Sequence, residues 1–267
     1  MCIVMVREIE LINLLRDIMS DLLRNRGNVA ISFSGGLDSS ILASIASEYC
    51  TPLLYTVGIE GSHDIYFASI VSEKLGLPWK KIVITEEDII NAIPKLASII
   101  SNLNPLVLSY ELPLYFVALN AKESIIISGQ GADELFGGYK KYELLSTEER
   151  EKSMNEDLTK LLNTGIDLER KIAAHFDKVI VQPYLSPQFI GLVGNIPINE
   201  RMKDGLRKGI LRNVARILAL DEIANYEKKA AQYGSGIMKV LKNAARKRKL
   251  HLKEYVEQLV TSSVHSL

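Results

Sequence analysis

The chain has only two cysteines, Cys2 and Cys50, in 267 residues, and neither belongs to a CxxC pair. That excludes a disulfide framework and a thiol-based structural zinc site, and it leads us to expect a reducing compartment. Histidines are few and scattered, at 63, 175, 251 and 265, without HExxH or another ligand spacing, so no metal is assigned to them. Long apolar runs are missing: none approaches the roughly 20 residues of a membrane span. The opening MCIVMV has no basic region ahead of it and fails as a secretory signal, so a cytoplasmic location and no membrane partner are expected. Net charge is absent as well, because 32 Lys and Arg balance 32 Asp and Glu. Attraction of the whole molecule to nucleic acid or anionic lipid is therefore no default.

What is present is a globular composition, 47% hydrophobic and 24% charged, which excludes disorder and collagen-like or coiled-coil architecture. Apolar residues at helical spacing from Val6 to Leu23 predict an amphipathic lead-in helix. Short β-rich runs follow, at 28–33, 52–58, 79–84 and 124–128, separated by helical patterns such as 62–76. Strand, helix, strand at this spacing predicts an α/β fold with a parallel sheet covered on both faces. Beyond Gly138 helices are expected over 148–162, 167–176, 200–220 and 237–260, with one more apolar stretch, VIVQPYL, at 179–185. The expected division is an α/β core over 1–145 and a mainly helical region over 146–267.

The segment NVAISFSGGLDSSILASIASE runs from a buried-looking strand through SGGLDSS (34–40) into a helix. Gly35 and Gly36 let the backbone approach a ligand, and the next N–H groups and the hydroxyls of Ser34, Ser39 and Ser40 suit phosphate oxygens. Asp38 is out of place beside phosphates unless a Mg²⁺ ion lies between them. The plainer alternative makes Ser34 an N-cap and Asp38 a partner of the helix dipole. GxxxxGKS or GxxxxGKT occurs nowhere, so this is not the P-loop of the usual NTPases. A second motif, SIIISGQGADELFGGYKKY (124–142), brings Ser128 and Gly129 to the carboxyl end of a strand, where open α/β sheets bind ligands. GQGADE approximates GxGxxG, but Glu134 replaces the third glycine and two acids would face a dinucleotide phosphate. Asp133 and Glu134 suit a magnesium-bound pyrophosphate better, with Asp133 opposite Asp38 as the second candidate metal ligand.

Strand, SGGxDS, helix resembles the ATP-pyrophosphatase family, with its adenine nucleotide alpha hydrolase-like core. SGGLDSS followed by SGxGADELFGGY is similar, more narrowly, to the synthetase domain of the asparagine synthetase family, which includes the β-lactam synthetases. Segments 57–78, 167–176, 182–190, GLRKGILRNVARIL and KKAAQYGSG (228–236) resemble that family's later stretches in the same order. The resemblance implies cleavage of ATP between its α and β phosphates, adenylation of a carboxylate, and attack by ammonia to give an amide, AMP and pyrophosphate. It implies ATP and Mg²⁺ as cofactors, aspartate as the default acid, and nucleotide contacts from Ser32, Ser34, Gly35, Gly36, Leu37, Asp38, Ser39, Ser40, Val57, Gly58, Ser128, Gly129, Gln130, Asp133, Glu134 and Tyr139. Lys229, or Lys228 beside it, is the expected catalytic lysine.

Departures bear on the substrate. Gln130 stands where the family usually has glutamate, and an amide cannot act as a general base. The family's ExRxPFLD segment reads VIVQPYLS, so its arginine is missing, with Val181 or Gln182 near its place and Ser186 in place of the last Asp; Lys171 replaces the Asp after LER. Cys2 mimics the glutaminase cysteine of full-length members, but that chemistry needs a domain of roughly 100–200 residues and only about thirty precede the SGG loop. Cys2 is expected to be a small buried hydrophobe, and ammonia to come from solution or a separate glutaminase subunit. Nine Lys or Arg between Lys228 and Lys253, with no acid among them, form a basic stretch that reads as a solvated helix face or as a surface for tRNA. Adenylation of another acceptor, a tRNA base included, and an ATP-binding regulatory subunit without turnover remain as alternatives; a homo-oligomer is left open.

Overall fold

The computed structural model describes residues 4–24, 27–203, 206–225 and 234–264. Cys2, Lys228, Lys229 and His265 lie outside the described residues.

The lead-in helix forms as expected (α1, Val4–Leu23), and four strands follow: β1 (Ala30–Ser32), β2 (Leu53–Gly58), β3 (Trp79–Val83) and β4 (Ile125–Ile127). Between them lie α2 (Leu37–Ala46), α3 (His63–Leu75), α4 (Glu86–Ile100) and α5 (Pro105–Asn120). Thr85 and Asp88 close a reciprocal capping box at the start of α4, and Asn104 caps α5 ahead of Pro105. The VIVQPYL stretch supplies a fifth strand, β5 (Val179–Val181). All four pairings are parallel, in the order β3-β2-β1-β4-β5. A segment from beyond residue 145 thus completes the sheet.

Side chains alternate across this sheet with the period of two that a pleated strand imposes. Ile31, Leu54, Ile125 and Ile127 face one core with Leu11, Leu15, Ile41 and Leu42. Ala30, Tyr55 and Ile126 face the other, with Ile93, Leu96, Leu112 and Val117. Burial on both faces explains why SIIIS reads as an unbroken apolar run.

After β4 come α6 (Ala132–Phe136), a 3₁₀ turn (Lys140–Leu144), and α7 (Thr147–Lys160), which passes through one π-helical turn (Leu161–Gly165) into α8 (Ile166–His175). Beyond β5 lie α9 (Pro187–Gly194), α10 (Ile198–Arg201), α11 (Gly209–Ile217), α12 (Asp221–Asn225), α13 (Ile237–Lys247) and α14 (Leu252–Val264). Two expected helices are each divided. Within the helix expected over 200–220, α10 ends at Arg201 and α11 starts at Gly209, directly after Lys208 in a left-handed conformation, φ +57°. The one expected over 237–260 breaks where Lys249 does the same. No helix among the described residues is long and apolar enough to cross a membrane.

Candidate functional site

In the strand order the chain turns outward in opposite directions from β1, to β2 on one side and to β4 on the other. That reversal is the switch point where open α/β sheets leave a crevice at the carboxyl ends of their strands. Both sequence motifs sit there. After β1, Gly35 adopts φ +71°, and a Cβ on it would lie 2.6 Å from the backbone nitrogen of Ala68 and 2.8 Å from the carbonyl carbon of Phe67 in α3. Only glycine fits. Gly36, not Ser34, occupies the N-cap of α2 and no side chain caps its first turn, so the helix start is open to an anion in the way that suits phosphate. Ser40 Oγ donates to the Gly36 carbonyl at 2.8 Å and Leu37 packs into the core, which makes both supports of the loop.

After β4, the 128–134 loop comes up against the first. A Cβ on Gly129 would stand 3.3 Å from the Cβ of Asp38 and 3.5 Å from Ser39 N. The two loops and β2 line a cavity of about 130 Å³ that includes Ser32, Ser34, Asp38, Ser39, Val57, Ser128, Gly129, Gln130, Asp133 and Glu134. Gly58 packs against Ser62 instead, and Tyr139 faces a neighbouring hollow. A shallow depression on the outer face of α7 is larger, about 720 Å³, but is lined only by exposed polar side chains of that helix and its extension and by none of the residues at the strand ends.

The two acids expected to share a metal both contact one lysine. Lys208 Nζ lies 2.7 Å from both carboxylate oxygens of Asp38 and 2.5 Å from Asp133 Oδ1, and the lysine is 4% exposed. Its backbone N–H donates to the Phe136 carbonyl at 3.0 Å, which fixes it behind α6. A non-glycine residue held left-handed and buried is costly, on the order of 1–3 kcal/mol, and such strain concentrates at functional sites. The ammonium acts as a stand-in cation and shows that Asp38 and Asp133 converge on one positive charge. Magnesium that carries a nucleotide commonly takes one or two carboxylates plus phosphates and water, so the pair fits such an ion. Among the described residues no cluster of three or more His, Cys, Asp or Glu is arranged to hold a metal by itself.

Beside this pair lie further acids that sequence reading did not single out. Asp64, Glu111 and Glu169 line the same cavity, and all three are buried. Glu134 accepts from Tyr139 OH at 2.5 Å, and burial raises its pKa. Glu169 accepts from Gln182 Nε2 at 2.5 Å; burial lifts it to about 7 against the lowering effect of the Gln182 and Ser128 hydrogen bonds. Glu111 is held well above the usual carboxylate range, by burial first and by Glu169 second. Gln130 Oε1 accepts from Tyr110 OH. Gln182, near the place of the missing arginine, is thus a prop for Glu169. One signal for Glu111 was in the sequence, a lone acid inside the apolar run PLVLSYELPLYF; for Lys208 there was only its place in GLRKG.

Among the described residues of the basic stretch, Lys239, Lys242, Arg246 and Lys247 are exposed on α13, opposite its buried Ile237, Leu241 and Ala244. Lys247 pairs with Glu86 at 3.1 Å and Arg248 lies over the Tyr255 ring, 5.0 Å from its centroid.

A family model described as asparagine synthase matches residues 10–178 and 146–265. A Methanocaldococcus jannaschii protein provisionally named asparagine synthetase (glutamine-hydrolyzing) 1 is 30% identical over 278 aligned residues, covering 88% of this chain and 51% of that protein. Asparagine synthetase (glutamine-hydrolyzing) 1 of Bacillus subtilis is 36% identical over 148 residues, 52% of this chain and 23% of its own length. The chain thus spans about half the length, or less, of these relatives. Among solved structures, the U34-tRNA thiolase NcsA of Methanococcus maripaludis aligns over 95% of this chain and 76% of its own, at 19% identity and a TM-score of 0.44.

Proposed function

Because the chain belongs to the asparagine synthase family, we propose that it is an ATP-dependent carbon–nitrogen ligase that activates a carboxylate as its adenylate and passes the acyl group to an amine nitrogen. The observation that carries this reading is the convergence of Asp38 and Asp133 on one buried cation between two loops at the sheet's switch point.

The carboxylate oxygen attacks the α-phosphorus of ATP, the bond from that phosphorus to the bridging oxygen breaks, and pyrophosphate leaves. The 34–40 loop offers the uncapped N–H groups of α2 and the hydroxyls of Ser34 and Ser39 to the departing phosphates. Asp38 and Asp133 would hold a magnesium ion, whose chemistry there is to neutralise the pyrophosphate charge amid a surplus of carboxylates. Lys208, already at that point, is the residue we assign to the pyrophosphate oxygens once the nucleotide is bound. Val57, Ser128 and Gly129 line the adenosine and acyl side. In the second half-reaction the nitrogen lone pair forms the C–N bond, the acyl C–O bond to AMP breaks with its electrons staying on the phosphate oxygen, and a carboxylate takes the N–H proton. Gln130 cannot take that proton, but Glu111 and Glu169 line the same cavity and are poised for it by their raised pKa.

Aspartate is the default acid by family, with ammonia free or from a separate glutaminase. No arginine lines this cavity among the described residues, so a free amino acid's α-carboxylate finds no guanidinium there. A non-turnover nucleotide-binding subunit is the second reading, favoured by Gln130. The test is release of pyrophosphate from MgATP with a panel of carboxylic acids and ammonium. Acid-dependent release that falls at least a hundredfold in Asp38→Asn and Asp133→Asn supports the ligase. ATP binding without release under any acid selects the second reading.

A further inference from the structure

Behind the 128–134 loop a second hollow opens, of about 350 Å³. It shares Tyr110, Glu111, Gln130 and Glu134 with the strand-end cavity, so only these side chains stand between the two. Its walls are Leu106, Val107, Leu161 and Leu168; Lys160 stands at its exposed rim, and Asp157, also on its lining, is engaged by Lys141 and by Tyr142 OH at 2.5 Å. Its floor is acidic. Glu111 is 3% exposed, and its Oε2 has no hydrogen-bond partner. A buried carboxylate oxygen without a donor is costly, and the residue that carries it lines the hollow.

The wall opposite α5 has a special backbone. Leu161, Thr164 and Gly165 belong to the single π-helical turn between α7 and α8, and all three line the hollow. Such turns inside α-helices are frequent at functional sites. A Cβ on Gly165 would run into the Leu161 side chain that forms the wall.

Ammonia is about the size of water, whose share of liquid volume is about 30 Å³, and it needs no chamber of this size. Apolar walls with a few convergent polar groups are the usual make-up of a site for an organic ligand. We propose that the nitrogen nucleophile of this enzyme is a primary amine with an apolar body, its nitrogen on Glu111 and its body between Leu106, Val107, Leu161 and Leu168. This rests on the ligase reading and names the substrate class for its second half-reaction. The amine arrives as ammonium, one N–H proton passes to the Glu111–Glu169 pair, the freed lone pair forms the C–N bond as the acyl C–O bond breaks with its electrons staying on the AMP phosphate, and the second N–H proton passes to the other carboxylate of the pair. Both carboxyls are held above the ordinary range, which makes either, once ionised, a stronger base than an exposed glutamate.

The test is calorimetric binding of n-hexylamine to the full chain at pH 8, beside ammonium chloride, 1-hexanol and hexanoate. Saturable hexylamine binding at least tenfold tighter than any of the three is expected, weakened at least tenfold in Glu111→Gln. Leu106→Trp, at a half-exposed position that tolerates bulk, should weaken it similarly by filling the hollow; circular dichroism checks that both variants are folded. Hexylamine binding no tighter than hexanol, or unchanged in folded Glu111→Gln and Leu106→Trp, overturns the proposal. Pyrophosphate release with ammonium as nucleophile reads the ligase reading separately: release without hexylamine binding sinks only the amine pocket, and hexylamine binding without any ATP cleavage sinks the ligase.

Discussion

Lys208 holds two carboxylates at once from a buried, left-handed position. Removing one partner of a buried ion pair leaves uncompensated charge and costs about 3–5 kcal/mol, so Lys208→Met should lower stability by that order in urea unfolding. The same variant should lose at least a hundredfold in pyrophosphate release, assayed below its melting temperature. Gln130→Glu is a contrasting change. It adds a carboxylate beside Glu111, Glu134 and Glu169, so it should lower the melting temperature more at pH 8 than at pH 5 and should not raise turnover, because the proton acceptor is already present. A gain in turnover would return the base role to position 130. The acid pair makes a linkage prediction. Glu111 and Glu169 titrate above unfolded glutamate, so from about pH 4.5 to about pH 7 the native state binds more protons than the unfolded one and stability falls as pH rises. Thermal unfolding from pH 5 to pH 8 should show the Glu111→Gln variant gaining on wild type as pH increases; a constant difference would contradict the shifts.

At the scale of elements, the loop after β1 is locked against α3 by a glycine with no room for a side chain. Gly35→Ala forces both a left-handed alanine and a collision with the α3 backbone. Destabilisation on the order of 2 kcal/mol or more, with weakened ATP binding by titration calorimetry, is expected. Strands β1, β2 and β4 were legible because buried parallel strands read as short apolar runs, and β3, an edge strand with Lys80 and Lys81 exposed, because Trp, Ile and Val follow Pro78. Helix α5 was not: it is buried on several sides, and without a polar face its sequence lacks the 3.6-residue alternation. The breaks at Lys208 and Lys249 were hidden for a different reason. Local propensity favours lysine in a helix, and what overrides it at Lys208 is a pairing with Asp38, 170 positions away. The π turn at Leu161–Gly165 likewise carries no local signature.

Over the whole molecule, both nucleotide loops could be placed from sequence because each is a contiguous motif at a strand end. The second hollow could not, since its lining comes from α5, the 128–134 loop, α7 and the π turn, and only folding brings these together. The balance of 32 basic against 32 acidic residues conceals an acidic centre. Binding of ATP at that centre should therefore depend on divalent cation, and chelation with EDTA should abolish it; cation-independent binding would contradict the role given to Asp38 and Asp133. The central claim is cleavage of ATP between the α and β phosphates on behalf of a carboxylate. Phosphorus NMR of the products, with and without carboxylic acids, tests it most directly. AMP and pyrophosphate formed in equal amounts, and only when an acid is supplied, is the predicted result; ADP and inorganic phosphate, or cleavage indifferent to the acid, would contradict it.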